Sequence, residues 1–291
     1  MVKTTETDNN SDNNSDNNSG STYRDLYRMV LALLGDHFEA AQLFAHATGK
    51  RPEQLVFTGA DIAPGGQKEQ MESLCAQRRA GVPLQYLLGE WEFYGFPMKV
   101  GRGVLIPRAD TETLVDAALA VMADTAAPEV LDLCTGSGCV AIAIAKMRQN
   151  ARVTAVELSP DAYPYLTDNI ARNTCAVVPV AADVHTYTHP AAIDVITCNP
   201  PYIPARDIAA LQPELWFEPH LALSGGADGL DFYRAITKRY YPQLKEGGWL
   251  CFEVGIDQSE PVAELLTREN YRNIAVRRDV SGIERVVLAQ R

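Results

Sequence analysis

An asparagine followed by two prolines and a tyrosine is the stretch of this chain best suited to chemistry: Asn199-Pro200-Pro201-Tyr202. Proline has no N–H group and holds the preceding residue in extended backbone, so the turn is stiff and offers oxygen acceptors without competing donors. The Asn199 side-chain oxygen and the Pro200 carbonyl could hold the two hydrogens of a planar NH2 group, with the Tyr202 ring as a flat face beside them. The alternative is a proline-rich turn that only ends a strand.

The residues before this turn, 193–198, form an apolar run that predicts a buried β-strand. Open α/β sheets bind ligands at the carboxyl ends of their strands, which is where Asn199 would lie. Similar runs predict strands near 129–134, 152–157, 177–182 and 248–254, and helical spacing predicts helices near 138–147, 160–171, 229–243 and 258–269. This alternation predicts a mostly parallel sheet covered by helices, and the Ser281-Gly282 turn predicts a closing antiparallel hairpin.

The first predicted strand leads into a glycine-rich loop, Cys134-Thr135-Gly136-Ser137-Gly138, which opens a helix. Glycines let a backbone approach a ligand closely, and a helix N-terminus presents free N–H groups with a partial positive charge. The glycine spacing is a weak variant of the dinucleotide-binding fingerprint. Asp132, just before the loop, would repel a pyrophosphate but attract an ammonium or a sulfonium, and S-adenosyl-L-methionine carries both of these groups.

Two further acidic residues follow predicted strands. Glu157 ends the second strand, where a carboxylate can accept hydrogen bonds from ribose hydroxyls; the alternative is a surface acid at a strand end. Asp183 follows the third strand and could contact an adenine amino group. The alternative for Asp183 is a turn residue whose side chain bonds the nearby backbone.

The composition narrows the function classes. With 26 Lys and Arg against 37 Asp and Glu, the net charge is −11, which disfavours salt-driven binding to nucleic-acid phosphates. We see no apolar run of membrane-spanning length and no signal segment at the start, so we expect no membrane partner. The six cysteines form no CxxC pair and no zinc spacing, so we expect no metal and a cytoplasmic location.

Three segments precede the alternating region. Residues 1–22 repeat Asp-Asn-Asn-Ser and are expected to be a disordered tail. Apolar residues at three- and four-residue spacing over 23–88 predict a small helical domain, which either packs on the rest of the chain or docks a macromolecular substrate. Residues 89–108 are aromatic-rich around Gly95 and predict a β-hairpin linker, so the main domain is expected to cover 109–291.

The acid before the loop, the loop itself, the strand-end acid and the Asn-Pro-Pro-Tyr turn together resemble the class I S-adenosylmethionine-dependent methyltransferases that act on planar amino groups. Further motifs resemble the protein-(glutamine-N5) methyltransferases that modify peptide chain release factors. These motifs are Pro83-Leu84-Gln85-Tyr86-Leu87-Leu88-Gly89, Leu105-Ile106-Pro107-Arg108, Glu218-Pro219 and Gly225-Gly226-Ala227-Asp228-Gly229-Leu230. The similarity runs from about residue 23 to the end.

The resemblance implies a Rossmann-like α/β fold and methyl transfer from S-adenosyl-L-methionine, with S-adenosyl-L-homocysteine as product. The implied acceptor is the glutamine of the Gly-Gly-Gln motif of class 1 release factors, held by residues 199–202. The implied donor contacts are Asp132, Cys134, Thr135, Gly136, Ser137, Gly138, Glu157, Asp183, Val184 and Asn199. Three positions depart from the family pattern: Cys134 replaces a frequent glycine, Val184 an aromatic residue and Ile283 an asparagine.

Other functions fit the same residues less well. An adenine-N6 nucleic-acid methyltransferase presents the same kind of NH2 group to such a turn, but it predicts a basic groove or an added recognition domain. A nucleotide-dependent dehydrogenase leaves the Asn-Pro-Pro-Tyr turn unexplained. A non-catalytic binding module is disfavoured because both the loop and the turn are intact.

Overall fold

A computed structural model describes residues 20–291, which divide into two compact units. The first unit ends at Arg79 and the second covers Ala80–Arg291. The sequence predicts a disordered tail over residues 1–22, of which residues 1–19 lie outside the described residues. Thr22, the last residue of the predicted tail, is the N-cap of the first helix.

The described part of the first unit contains helices α1 (Tyr23–Leu34), α2 (His37–Thr48), α3 (Leu55–Thr58) and α4 (Gln67–Arg79). The Thr22 hydroxyl accepts the Asp25 N–H at 3.2 Å while the Asp25 carboxylate accepts the Thr22 N–H at 3.3 Å, a capping box that fixes where α1 begins. The predicted apolar stripes meet in one core, where the following side chains are buried: Leu26, Val30, Ala40, Phe44, Met71 and Cys75.

The first compact unit ends at Arg79, whereas the helical domain predicted from the sequence ends at Leu88. Helix α5 (Leu84–Leu88) belongs to the second unit because Tyr86 packs against the core of that unit and donates its hydroxyl to the Val104 carbonyl. The helical period over 23–88 therefore continues past the point where the packing changes.

The predicted hairpin is present but shorter than the range 89–108. Strands β1 (Glu90–Phe93) and β2 (Phe96–Lys99) pair antiparallel around Gly95. The pairing stops because residues 101–104 make a turn, in which the Val104 N–H donates to the Gly101 carbonyl at 3.3 Å. Val104 and Ile106 are buried, as an alternating strand pattern would require, but they lie in a loop that continues to the site.

The second unit contains a seven-stranded sheet. Its strands are β3 (Glu129–Leu133), β4 (Arg152–Glu157), β5 (Val177–Ala181), β6 (Ile193–Cys198), β7 (Leu244–Glu253), β8 (Arg272–Arg278) and β9 (Glu284–Gln290). The spatial order is β5-β4-β3-β6-β7-β9-β8, and β9 runs antiparallel to both of its neighbours while the other pairings are parallel. The strand order reverses between β3 and β6, and such a switch point leaves a crevice at the carboxyl ends.

Five helices cover the sheet within residues 109–291: α6 (Glu112–Val121), α7 (Cys139–Met147), α8 (Tyr163–Asn173), α9 (Asp231–Tyr240) and α10 (Ser259–Arg268). Side chains of α6, α7 and α8 share one core with Val130 and Val195, and those of α9 and α10 share another, here called the α9 core, with Leu131 and Phe252. Neighbouring residues of β3 thus face opposite cores, which explains the continuous apolar runs. Within residues 20–291, no helix has both the length and the apolar character required to cross a membrane.

Candidate functional site

A cavity of about 280 Å³ opens at the carboxyl ends of β3, β4 and β6. The sequence-predicted residues on its wall are Asp132, Cys134, Thr135, Gly136, Ser137, Glu157, Asp183, Val184, Asn199 and Pro201. Four stretches that are distant in the sequence therefore meet at one edge of the sheet. This is the edge that the parallel topology predicts.

Among the described residues, three predicted site residues stand off the cavity wall: Gly138, Pro200 and Tyr202. Gly138 begins α7 with a φ of 83°, and a Cβ there would lie 2.6 Å from Leu166 Cδ1, so this glycine permits packing. Pro200 is buried. The Tyr202 ring packs against the α9 core, and burial raises the pKa of its hydroxyl.

Asp132 lies beneath the glycine-rich loop and is almost fully buried. One of its carboxylate oxygens accepts the Thr135 hydroxyl, and the other accepts the Thr197 hydroxyl at 2.7 Å. The carboxylate therefore ties the loop to β6, a role that the sequence did not reveal. Burial raises the pKa of Asp132 from 3.8 to about 6.

This raised pKa predicts a pH dependence of stability. The folded chain takes up a proton at Asp132 at a higher pH than the unfolded chain does, so the free energy of unfolding should fall as the pH rises from about 4 to about 6, by about 3 kcal/mol from this group. Asp132→Asn lacks the titration. Thermal melts across that pH window should show the wild-type midpoint falling relative to the variant's, whereas parallel profiles would contradict the buried tie.

Cys134 begins the loop with a φ of 56°, in the left-handed region that favours glycine. The departure from the family's glycine at this position thus carries backbone strain. We expect Cys134→Gly to be more stable than Cys134→Ala by about 1 kcal/mol, because both variants remove the thiol but only glycine removes the strain. Urea unfolding of the two variants measures the difference, and the usual ranking of alanine above glycine would refute the strain.

Glu157 connects the loop to the end of β4. Its Oε2 accepts the Gly136 N–H at 2.8 Å and its Oε1 accepts the Ser159 N–H at 2.7 Å. Burial raises the pKa of this carboxyl. Each oxygen keeps capacity for a second hydrogen bond on the cavity side, so the carboxylate can still accept two hydroxyls of a ligand.

Asp183 makes the backbone bond that was its alternative role, because its Oδ1 accepts the His185 N–H at 2.8 Å. It also lies on the cavity wall. Val184 next to it offers no ring, but His185 and Phe232 line the same cavity with ring centroids 5.2 Å apart. Neither ring was predicted from the sequence; the one local signal is that Phe232 follows the Gly225–Leu230 motif in the first turn of α9.

The Gly225–Leu230 motif packs against the back of the Asn-Pro-Pro-Tyr turn. A Cβ on Gly225 would lie 2.7 Å from the Pro201 carbonyl oxygen and 2.8 Å from Tyr202 Cα, so only glycine allows this approach. The Ile203 N–H donates to the Leu223 carbonyl and the Gly225 N–H to the Ile203 carbonyl, both at 2.9 Å. These two backbone hydrogen bonds fix the residue after the turn, Ile203, to the segment 223–225.

Two other motifs quoted for the resemblance meet at the cavity wall. The Glu218 carboxylate, whose side chain is 1% exposed, accepts the Ile106 N–H at 3.0 Å and pairs with the Arg108 guanidinium. Ile106, Arg108 and Pro219 all line the cavity. Residues 105–108, which were predicted as part of the hairpin, are thus held by Glu218 as one wall of the cavity.

Asn199 begins the turn at the end of β6 and is half-buried. Its Nδ2 donates to the Thr111 Oγ1 at 3.4 Å. Thr111 also lines the cavity and comes from the turn just before α6. With the NH2 end engaged by Thr111, the Oδ1 of Asn199 is the end that can accept a hydrogen bond from a ligand.

Comparison with known proteins agrees with this geometry. A family model described as "PrmC N-terminal domain" matches residues 34–89, and one described as "Methyltransferase small domain" matches residues 111–213. A release factor glutamine methyltransferase of Geobacter sulfurreducens is 43% identical over 215 residues, which are 74% of this chain and 75% of that protein. One of Thermodesulfovibrio yellowstonii is 36% identical over 257 residues, 87% of this chain and 92% of that protein.

This chain belongs to the release factor glutamine methyltransferase family. Its similarity to the Thermodesulfovibrio yellowstonii relative spans both units. Among solved structures, the hMettl16 catalytic domain, crystallised with the MAT2A 3'UTR hairpin 6, has a TM-score of 0.57 over 77% of this chain and 81% of that chain. At 14% sequence identity that likeness shows the fold alone, and it confirms the predicted Rossmann-like methyltransferase sheet.

Proposed function

We propose that this chain transfers a methyl group from S-adenosyl-L-methionine to the side-chain nitrogen N5 of the glutamine in the Gly-Gly-Gln motif of class 1 peptide chain release factors. The observation that carries the proposal is that Asn199, in a turn locked by Gly225, lines the same cavity as the 134–137 loop and Glu157. The chain's membership of the release factor glutamine methyltransferase family supports the choice of substrate.

The polar groups on the cavity wall fit S-adenosyl-L-methionine. The Glu157 carboxylate suits the ribose hydroxyls, and the loop with the N-terminus of α7 suits the carboxylate of the methionine part. Asp183 suits the adenine amino group, and the rings of His185 and Phe232 suit the adenine plane. When bound, this donor supplies an electrophilic methyl group on a positively charged sulfur.

On the acceptor side, an amide nitrogen is a weak nucleophile because its lone pair is delocalised into the carbonyl. The chain must therefore act through positioning and electrostatics. We propose that the Asn199 Oδ1 and the Pro200 carbonyl accept the two amide hydrogens, which aims the nitrogen and favours the positive charge that develops on it. Pro201 lines the cavity beside these acceptors, and Tyr202, whose ring packs against the α9 core, holds the turn in place. The surplus proton leaves the nitrogen for solvent after transfer.

The proposed partner is a protein and the proposed compartment is the cytoplasm. All six cysteines are free, which suits a reducing environment. The net charge of −11 supports a protein substrate over a nucleic acid.

The test is incubation with methyl-labelled S-adenosyl-L-methionine and one of three acceptors: a class 1 release factor, the same factor with the Gly-Gly-Gln glutamine replaced, or DNA and RNA. We expect label on the intact factor only. Label that persists on the glutamine-substituted factor, or label on nucleic acid at a comparable rate, would refute the assignment.

A further inference from the structure

The carboxylate of Glu253 is buried directly beside the Asn-Pro-Pro-Tyr turn. Glu253 ends β7, and the residue before it, Phe252, is in register with Cys198, the residue before Asn199. Glu253, the last residue of β7, is therefore next to Asn199, which directly follows the neighbouring parallel strand β6. The Glu253 side chain is almost fully buried, and among the described residues its Oε2 has no hydrogen-bond partner. A buried carboxylate oxygen without a hydrogen-bond partner lowers the stability of the folded chain. Its location beside the Asn-Pro-Pro-Tyr turn therefore suggests a functional role.

Burial raises the pKa of Glu253, and hydrogen bonding from two polar side chains, Thr111 and Asn199, acts to lower it. Thr111 is itself 2% exposed, and its Oγ1 accepts the Asn199 Nδ2–H at 3.4 Å. The three side chains thus form one cluster at the start of the turn, in which Thr111 and Asn199 also line the cavity and Glu253 is buried.

The chemistry of these groups makes the cluster directional. An ionised carboxylate only accepts hydrogen bonds, whereas a hydroxyl can donate one and accept others. If the Thr111 hydroxyl donates to Glu253, its lone pairs remain for an N–H donor, and the NH2 end of Asn199 is the matching group. The Oδ1 of Asn199 must then point the other way, toward the cavity. Thr111 alone would bind either end of the amide, because its hydroxyl can accept from the NH2 group or donate to the Oδ1.

We propose that Glu253 is a positioning residue that, through Thr111 and directly, fixes the Asn199 side-chain amide with its oxygen toward the substrate. This inference rests on the proposed function, since the oriented oxygen is the acceptor for the glutamine amide. With the amide reversed, the Asn199 NH2 group would face the NH2 group of the glutamine, donor against donor, and the nitrogen would not be aimed.

The protonation state of Glu253 should control this orientation. Burial raises the pKa of Glu253 from 4.5 to about 7. The charged groups that act on it are Arg285, which favours the ionised form, and Asp110, which opposes it. The other titratable groups that interact with it are Tyr202, Tyr233, Cys139 and Cys198. Once protonated, Glu253 can donate to Thr111 and the preference for one amide orientation is lost, so kcat should fall as the pH falls through about 7.

The decisive variant is Glu253→Gln, which keeps the size but removes the group that only accepts. We expect kcat for methylation of a release factor to fall about 10²-fold, as for a misaligned reacting group, with the Kd for S-adenosyl-L-methionine unchanged by calorimetry. The acid limb of the kcat–pH profile should disappear. Glu129→Gln is the matched control, because that buried carboxyl lies at the amino end of β3, on the opposite edge of the sheet; it should keep both kcat and the acid limb.

Thr111→Val provides a second variant should Glu253→Gln fold poorly. It should lower kcat by a similar factor, and the double variant should be no worse than either single one, because the two residues act as one unit. Unchanged kcat and an unchanged acid limb in both variants would overturn the proposal. A parallel loss of donor affinity and thermal stability with an intact acid limb would also overturn it, since that pattern indicates a structural role only.

An NMR titration separates this proposal from the proposed function. The Asn199 side-chain NH2 signals should shift with an apparent pKa near that of Glu253 in the wild-type chain and should not shift in Glu253→Gln. If the titration appears but no release factor is methylated, the positioning stands and the proposed function fails. If the signals do not titrate, the positioning fails whatever the activity.

Discussion

Replacement of Asn199 by alanine is expected to lower kcat for methyl transfer about 10³-fold, the upper range for loss of one preorganised hydrogen-bonding group in an active site. The reason is geometric. Without the Oδ1, one of the two amide hydrogens of the glutamine has no acceptor, and the nitrogen is neither aimed nor stabilised as it gains positive charge. The Kd for S-adenosyl-L-methionine should change little, because the groups proposed to hold the donor are the 134–138 loop, Glu157, Asp183 and the rings of His185 and Phe232.

Single-turnover kinetics and calorimetry on the same preparation measure the two quantities. Asn150→Ala is the matched control, because that exposed asparagine lies in the turn between α7 and β4, at the amino edge of the sheet. It should match the wild-type chain in both assays. Equal losses of kcat and donor affinity in Asn199→Ala would show that Asn199 serves the donor instead of the acceptor.

Replacement of Glu157 by alanine should have the opposite signature. The two charge-assisted hydrogen bonds proposed between Glu157 and the ribose would be lost, and the Gly136 N–H loses its partner at 2.8 Å, so the Kd for S-adenosyl-L-methionine should rise about 10²-fold. The KM for the release factor should stay near its wild-type value. Gly136 lies in the 134–138 loop just before α7. Part of the loss of donor affinity therefore comes from this loop, which Glu157 no longer holds in place.

Calorimetric titration with S-adenosyl-L-homocysteine measures this effect without turnover. Glu260→Ala, at an exposed glutamate in the first turn of α10, is the control and should bind as the wild type does. Undiminished binding by Glu157→Ala would remove Glu157 from the donor site and restore its alternative role as a strand-end acid.

Local patterns in the sequence were sufficient for the strands that position the site. The apolar runs at β3 and β6 end where the structure ends them, within a residue, because both strands are buried on two faces. The same reasoning overextended the hairpin, because Val104 and Ile106 alternate like strand residues although a turn at Gly101 has already ended the pairing. The helical period over 23–88 does not reveal that α5 packs on the core of the second unit, because periodicity does not show which core a helix contacts.

The predicted site residues came from groups that directly follow predicted strands, and parallel topology brings such groups together. The side chains that hold these site residues in place cannot be predicted from their position after a strand. Thr197 reaches Asp132 across a strand pair, and Glu253 reaches Asn199 across another, so neither contact leaves a local signature. Tyr202 was predicted on the cavity wall because it is next to Asn199, but its ring packs against the α9 core.

The most direct test is a crystal structure of the chain with S-adenosyl-L-homocysteine and a Gly-Gly-Gln peptide. We expect the glutamine side-chain nitrogen to lie within about 3 Å of both the Asn199 Oδ1 and the Pro200 carbonyl oxygen, and to face the sulfur of the product. A glutamine amide bound away from residue 199, or an Asn199 side chain turned from the sulfur, would contradict it.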